Sequence, residues 1–171
     1  MSQVLRKFLY RFMALAILGS LTAPIVASAQ ESGLPIPRFV ALRSDKVFLR
    51  SGPGLRYPTV WIYHRRNMPM EVVSEFDTWR KVRDWEGSEG WVHQSLLIGS
   101  RHVIVTDENI TLYSAADKNA RKIALVSASV IGRIEDCPAT VDWCQLRFGD
   151  FEGWAPRHGF WGIYEGENVE G

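Results

Sequence analysis

The side chains most suggestive of chemistry are two cysteines, Cys137 and Cys144, framing the run Cys-Pro-Ala-Thr-Val-Asp-Trp-Cys. Redox pairs sit at two-residue spacing by a helix start, and a zinc site needs about four ligands, so neither pattern fits. In an exported chain, an even pair closing so short a loop reads as a disulfide across the base of a hairpin. By the chain-entropy relation such a bridge contributes roughly 2–3 kcal/mol. A nucleophilic enzyme would need a cysteine or serine beside a base. His64, His93, His102 and His158 stand singly, as surface or strand-end residues, with no HExxH pair and no Gly-x-Ser-x-Gly elbow. Glu89 and Glu152 each precede a glycine and could be imagined as a carboxylate pair, but they lie far apart in the chain and a turn role accounts for them. Calcium-type acidic loops and phosphate-cradling glycine loops are missing from the sequence. The expectation is a protein with no catalytic residue, no metal and no cofactor.

The elements that would hold any site come in two copies. Trp79-Arg-Lys-Val-Arg-Asp-Trp-Glu-Gly-Ser-Glu-Gly-Trp91-Val returns as Trp143-Cys-Gln-Leu-Arg-Phe-Gly-Asp-Phe-Glu-Gly-Trp154-Ala, with the first tryptophans 64 positions apart and the second pair 63. Val47-Phe-Leu49 matches Ile110-Thr-Leu112, and Val60/Ile62 match Ile123/Leu125, at an offset of 63. Such a period is too long for a solenoid and fits two small tandem domains. By this alignment Val73 and Arg80 stand where the second copy has its cysteines. Short β-branched and aromatic runs bounded by Gly, Pro, Asp or Asn recur throughout, a barrel or sandwich pattern. Strands are expected at Arg38–Leu42, Lys46–Leu49, Thr59–Tyr63, Met70–Glu75, Trp79–Asp84 and Gly90–Gln94. In the second copy they fall at His102–Val105, Ile110–Tyr113, Lys122–Val126, Val130–Asp136, Trp143–Phe148 and Glu152–Pro156. Trp79, Trp91, Trp143 and Trp154 are either ligand-stacking residues or core. A unit this small needs its aromatics for burial, each contributing roughly 2–3 kcal/mol, which favours the core for part of each. The repeated Glu-Gly before Trp91 and Trp154 is expected to form a tight turn or bulge.

The ends and the charge bound the setting. Arg6, Lys7 and Arg11, then an apolar run from Phe12 to Val26 and Ala27-Ser28-Ala29, have the make-up of an export signal cleaved after Ala29. The alternative, an uncleaved membrane anchor, is disfavoured by a short run broken by Gly19 and Pro24. Without residues 1–29 the chain keeps 17 basic against 19 acidic side chains, near −2, which argues against nucleic acid as a partner. One basic cluster, His64-Arg65-Arg66 with Arg56 nearby, reads as a solvated turn. Residues 30–37 form an N-terminal extension, 38–99 the first domain, 100–165 the second and 166–171 a loose acidic tail. Phe160-Trp161-Gly-Ile-Tyr164 is expected to pack as a last strand over the second domain or between the two. The protein is therefore expected outside the cytoplasmic membrane, periplasmic or secreted, with no stable membrane insertion.

Val47-Phe-Leu-Arg50-Ser-Gly52-Pro53-Gly54-Leu-Arg-Tyr57-Pro58, then Trp79-Arg-Lys-Val82, then Glu89-Gly90-Trp91-Val92, resembles the bacterial SH3-like (SH3b) family. The second copy keeps Trp143-x-x-Leu146 and Gly153-Trp154, but has Tyr113-Ser-Ala-Ala-Asp117 in place of the glycine-rich loop, so that loop must differ. The resemblance implies an all-β chain of two tandem, partly open SH3-like barrels. It also implies non-catalytic binding of cell-wall peptide or glycan, or of an envelope protein. Gly52 and Gly54 allow unusual backbone angles and Pro53 fixes one, so the loop can be rigid with Arg50, Tyr57 and Trp61 facing outward. The expected ligand-binding residues are Arg50, Tyr57, Trp61 and Trp79, a rigid aromatic and guanidinium surface suited to a peptide or glycan.

Overall fold

The computed structural model describes residues 32–170. The expected leader lies outside the described residues. Within them the alternating apolar pattern folds as two antiparallel sheets with no α-helix. The first unit contains β1 (Arg38–Leu42), β2 (Val47–Arg50), β3 (Thr59–Tyr63), β4 (Pro69–Phe76), β5 (Trp79–Arg83), β6 (Glu89–His93), a 3₁₀ turn (Gln94–Leu96) and β7 (Leu97–Ile98). The second contains β8 (His102–Val105), β9 (Asn109–Tyr113), β10 (Lys122–Ser127), β11 (Ile131–Cys137), β12 (Trp143–Phe148), β13 (Phe151–Pro156) and β14 (Phe160–Trp161), with β15 (Val169–Glu170) added on β11. Strand order is β3-β2-β6-β5-β4-β1-β7 in one sheet and β10-β9-β13-β12-β11-β8-β14 in the other. The two orders are the same order. Each sheet curls over its own core and leaves its two end strands unpaired with one another, a partly open barrel.

Register shows how closely the copies correspond. Val72 pairs with Val82 as Ile134 pairs with Leu146, and both strands slip by one residue just beyond, at Val73 and at Glu135. Past that bulge Glu75 faces Arg80, at the rung where the second unit has the Cys137–Cys144 disulfide. The counterpart of Cys137 is thus Glu75 and not Val73. The linear alignment slips because four residues separate Glu75 from Arg80, whereas six separate Cys137 from Cys144. A second rung is exchanged as well. In the first unit the Tyr63 hydroxyl donates to buried Asp84 at 2.9 Å, and burial together with that carboxylate pushes the phenol's pKa far up. In the second unit Val126 and Phe148 occupy these places. Gly132 makes the room, since a Cβ there would lie 2.5 Å from the Phe148 ring.

The Glu75 carboxylate has no solvent-exposed side-chain surface and gathers four donors: Arg38 Nη2 at 2.6 Å, Arg80 Nε at 3.1 Å, and the Ser32 amide and hydroxyl at 3.0 and 2.7 Å. Arg80 in turn donates to Gln94 Oε1 at 2.6 Å and to the carbonyls of Asp77 and Trp79. One buried carboxylate therefore ties the chain before β1, both strands of the β4–β5 hairpin and the 3₁₀ turn.

Gly90 and Gly153, expected at a tight turn or bulge, lie inside β6 and β13. A Cβ on Gly90 would sit 2.9 Å from the Arg50 carbonyl, and one on Gly153 2.8 Å from the Tyr113 carbonyl, so both glycines let a neighbouring strand pass closely. Glu89 and Glu152 are cross-strand partners, not an acid–base pair: Glu89 meets Lys81 and Glu152 meets Arg147, each at 2.5 Å.

The C-terminal segment joins the units. β14 pairs with β8, and its Trp161 ring, with the Tyr164 ring beyond it, packs on Phe39 of β1 at 4.8 and 4.6 Å. The Tyr164 hydroxyl donates to Glu71 Oε1 of β4 at 2.9 Å; Arg83 holds the other oxygen of that carboxylate. Arg101 stacks over Phe39 and grips Glu167 with two hydrogen bonds. The tail is not loose as expected: Val169 is buried in the second core and pairs with Cys137.

Two outcomes follow. Glu75→Gln leaves Arg38 and Arg80 facing a neutral group, and urea denaturation should show a loss of about 3 kcal/mol. Burial raises the Glu75 pKa, but hydrogen bonds from Ser32 and Arg38 outweigh it and hold the carboxyl below its ordinary 4.5. Its contribution is therefore complete above that unfolded value and fades as pH falls through the lower folded one, so as pH falls below about 5 the wild type should lose stability more steeply than Glu75→Gln. Phe39→Ala removes the ring on which Trp161, Tyr164 and Arg101 converge. Calorimetry should then resolve two unfolding transitions in place of the wild type's one.

Candidate ligand groove on the first unit

The loop from Ser51 to Pro58 is closed by its own backbone. The Ser51 amide donates to the Pro58 carbonyl at 3.0 Å, and the Tyr57 amide to the Gly54 carbonyl at 3.2 Å. Arg50 completes it from beneath, its Nη1 donating to the carbonyls of Leu55 at 3.2 Å and Tyr57 at 2.7 Å. The Arg50 guanidinium, expected to face a ligand, thus also braces its own loop through these two carbonyls. The Tyr57 ring lies on Gly52, where a Cβ would meet it at 2.5 Å, and the Arg56 guanidinium lies over the ring at 5.1 Å. Closed this way, the loop projects Leu55 at its tip, 79% exposed.

Leu55 forms one wall of an open, mainly apolar groove of about 610 Å³ whose other lining residues are Thr78, Trp79, His93, Ser95 and Leu96. Trp79 is its floor, nearly buried, with the His93 ring set edge-on against it at 5.4 Å. The two residues face each other across β5 and β6. His93 Nδ1 pairs with the Ser95 hydroxyl at 2.7 Å and accepts from the Ser95 amide, capping the 3₁₀ turn that carries Leu96. Arg80 braces the same turn through Gln94, so the groove is built on the buried Glu75 cluster.

Of the expected residues, Arg50 and Tyr57 belong to the loop and Trp79 to the groove. Trp61 lies elsewhere, on the outermost strand β3 beside Leu49, 60% exposed. Leu55, His93 and Leu96 were not foreseen. Their signals were an apolar residue at the tip of a Gly-Pro-Gly loop and a histidine directly opposite a repeated tryptophan. Among the other repeated tryptophans, Trp91, Trp143 and Trp154 are half-buried.

The second unit does not copy this groove. Pro156 stands opposite Trp143, where the first unit has His93, and Trp143 sets its edge against Tyr113 at 5.8 Å. Its loop is organised by Asp117, whose carboxylate accepts from the Asn119 amide and side chain. Among the described residues no group of three or more His, Cys, Asp or Glu side chains is placed to hold a metal ion, and no helix is long and apolar enough to cross a membrane.

The loop, the Trp79 strand and the Gly90-Trp91 strand all fall in residues 43–99, which match the family model of the bacterial SH3 domain. The first unit is a bacterial SH3 domain. The second unit lies outside that match, and its kinship to the SH3 domain rests on its identical strand order. No curated protein matches the chain. Among solved structures it is similar to NlpC2 and NlpC1 from Trichomonas vaginalis, at 12% identity and a TM-score of 0.34 for each. The alignments cover 74% and 75% of this chain and 48% and 47% of those chains, so the chain spans about half their length.

Arg50→Ala should release the two loop carbonyls without touching the SH3 core. The expected result is a stability loss of about 1–2 kcal/mol and faster amide hydrogen exchange over residues 51–58, with protection unchanged in β4 and β5.

Proposed function

We propose that this protein is a non-catalytic binding module of the cell envelope that takes a peptidoglycan stem peptide or glycan in the groove of its SH3 domain. The observation that carries the reading is the Trp79-floored groove between the Leu55 loop tip and the capped 3₁₀ turn. It is apolar along its floor and carries polar groups only at its edge, the Thr78 and Ser95 hydroxyls and the His93 ring. A short peptide with small side chains, or a sugar face, can lay its apolar side on such a floor and direct its amides or hydroxyls to the rim. The groove is preorganised by Arg50 and by the Glu75–Arg80–Gln94 chain, which lowers the ordering cost of binding. The disulfide in the second unit fits an oxidising compartment outside the cytoplasm, in keeping with the export signal read in residues 1–29.

A second reading, docking of an envelope protein, is favoured by β3. This strand ends its sheet, and Val60, Trp61 and Ile62 on it are exposed, a combination that invites addition of a partner strand. Co-sedimentation with purified sacculi separates the two. Wild type should be retained, Leu55→Asp should bind roughly tenfold more weakly, a difference of ~1.4 kcal/mol, and Trp61→Ala should be unaffected. Absence of retention sinks the wall-binding reading; loss on Trp61→Ala alone moves the site to the strand edge.

A further inference from the structure

The seam between the units encloses a second cleft, of about 470 Å³, lined by Arg66 and Asn67 from the β3–β4 loop and by Ser100, His102, Arg133 and Arg147 with adjoining backbone of the second unit. Its lining side chains include three guanidinium groups and no carboxylate. Arg147 is partly neutralised from outside the lining by Glu135 at 2.7 Å and Glu152 at 2.5 Å, and Arg133 Nε stays 3.9 Å from Glu135. Arg66 makes no hydrogen bond or ion pair with any described residue, although the neighbouring Arg65 donates across the seam to the Ser129 carbonyl. The cleft therefore carries a net positive charge with unspent donors.

Its floor is polar and underused. His102 is only 8% exposed, and one ring nitrogen, Nδ1, faces the Ser100 carbonyl at 3.2 Å. Burial lowers its pKa, outweighing the hydrogen bond to Ser100, so the ring stays neutral at neutral pH and adds no further positive charge. The Ser100 hydroxyl is buried with no hydrogen-bond partner. A buried hydroxyl without a partner costs about 1–3 kcal/mol, and like charges lining a cleft of low dielectric repel. One kind of occupant relieves both, an oxyanion that accepts from the arginines and from Ser100. Clefts of this size between domains are also where small ligands bind.

We infer that this inter-unit cleft is a binding site for a small oxyanion, a carboxylate or phosphate group on a polar ligand, held by Arg66 and Arg133 over Ser100 and His102. The site is separate from the SH3 groove and does not depend on the function proposed for it. Neither unit has it alone, because Arg66 comes from the first and the rest of the cationic lining from the second.

The test is amide NMR of the protein titrated with inorganic phosphate and, separately, with citrate, at ionic strength held constant with sodium chloride. Either anion should give saturable shifts at Ser100, His102, Gly132 and Gly149. Arg66→Ala and Arg133→Ala should each weaken the response about tenfold, whereas Arg56→Ala, at a surface arginine outside the cleft, should leave it unchanged. Saturation by one anion alone identifies the preferred headgroup. Shifts that are linear and spread over the surface, shifts that persist in both cleft variants, or no shifts with either anion overturn the assignment.

Discussion

The buried carboxylate of Glu75 is the interaction on which the first unit depends. A carboxylate taken out of water is costly unless charged donors surround it, and here Arg38, Arg80 and Ser32 do so from three parts of the chain. Each donor fixes something different. Ser32 anchors the segment before β1, Arg38 belongs to β1 itself, and Arg80 passes the constraint through Gln94 to the 3₁₀ turn. The groove wall formed by Leu96 and the His93 cap rests on that turn, so the groove is placed by an ion pair several residues away from it.

The second unit keeps the backbone and exchanges the chemistry. Its strand order is the same, its bulge falls at the same rung, and its glycine lets the same neighbouring strand pass. Yet the Glu75–Arg80 rung has become a disulfide, and the Tyr63–Asp84 rung has become Val126 and Phe148. These exchanges remove buried polar groups from the copy that lacks the groove. The polar rungs stay in the copy that carries it, where they also orient loops. The seam then uses what both copies leave over, aromatic rings from the C-terminal segment on one side of the pairing and arginines on the other.

Much of this was legible in the sequence because the strands are half-buried and alternate. All twelve expected strands formed within about a residue or two of their expected ends, since period-two alternation fixes which face is buried. The two-residue strands β7, β14 and β15 are too short to alternate and exist only because distant segments supply partners. Glycines 90 and 153 read as a tight turn or bulge because the strand that crowds them is remote in sequence. Arg50 looked like a ligand contact because nothing local announces that the carbonyls of residues 55 and 57 curl back onto it. The His64-Arg65-Arg66 cluster read as a solvated turn, and only the second unit's position gives Arg65 and Arg66 a surface to face. Geometry made by closure of the chain over long range is what composition and spacing do not carry.

The exchanged rung between β4–β5 and β11–β12 has one more consequence. At the same rung of the two sheets, one unit is fastened by a bond that reduction opens and the other by a pairing that protonation dissolves. A reductant acts on this rung in the C-terminal half, and acid acts on its counterpart in the neighbouring half. At this one equivalent rung the two halves of the molecule thus answer to separate properties of the medium around them.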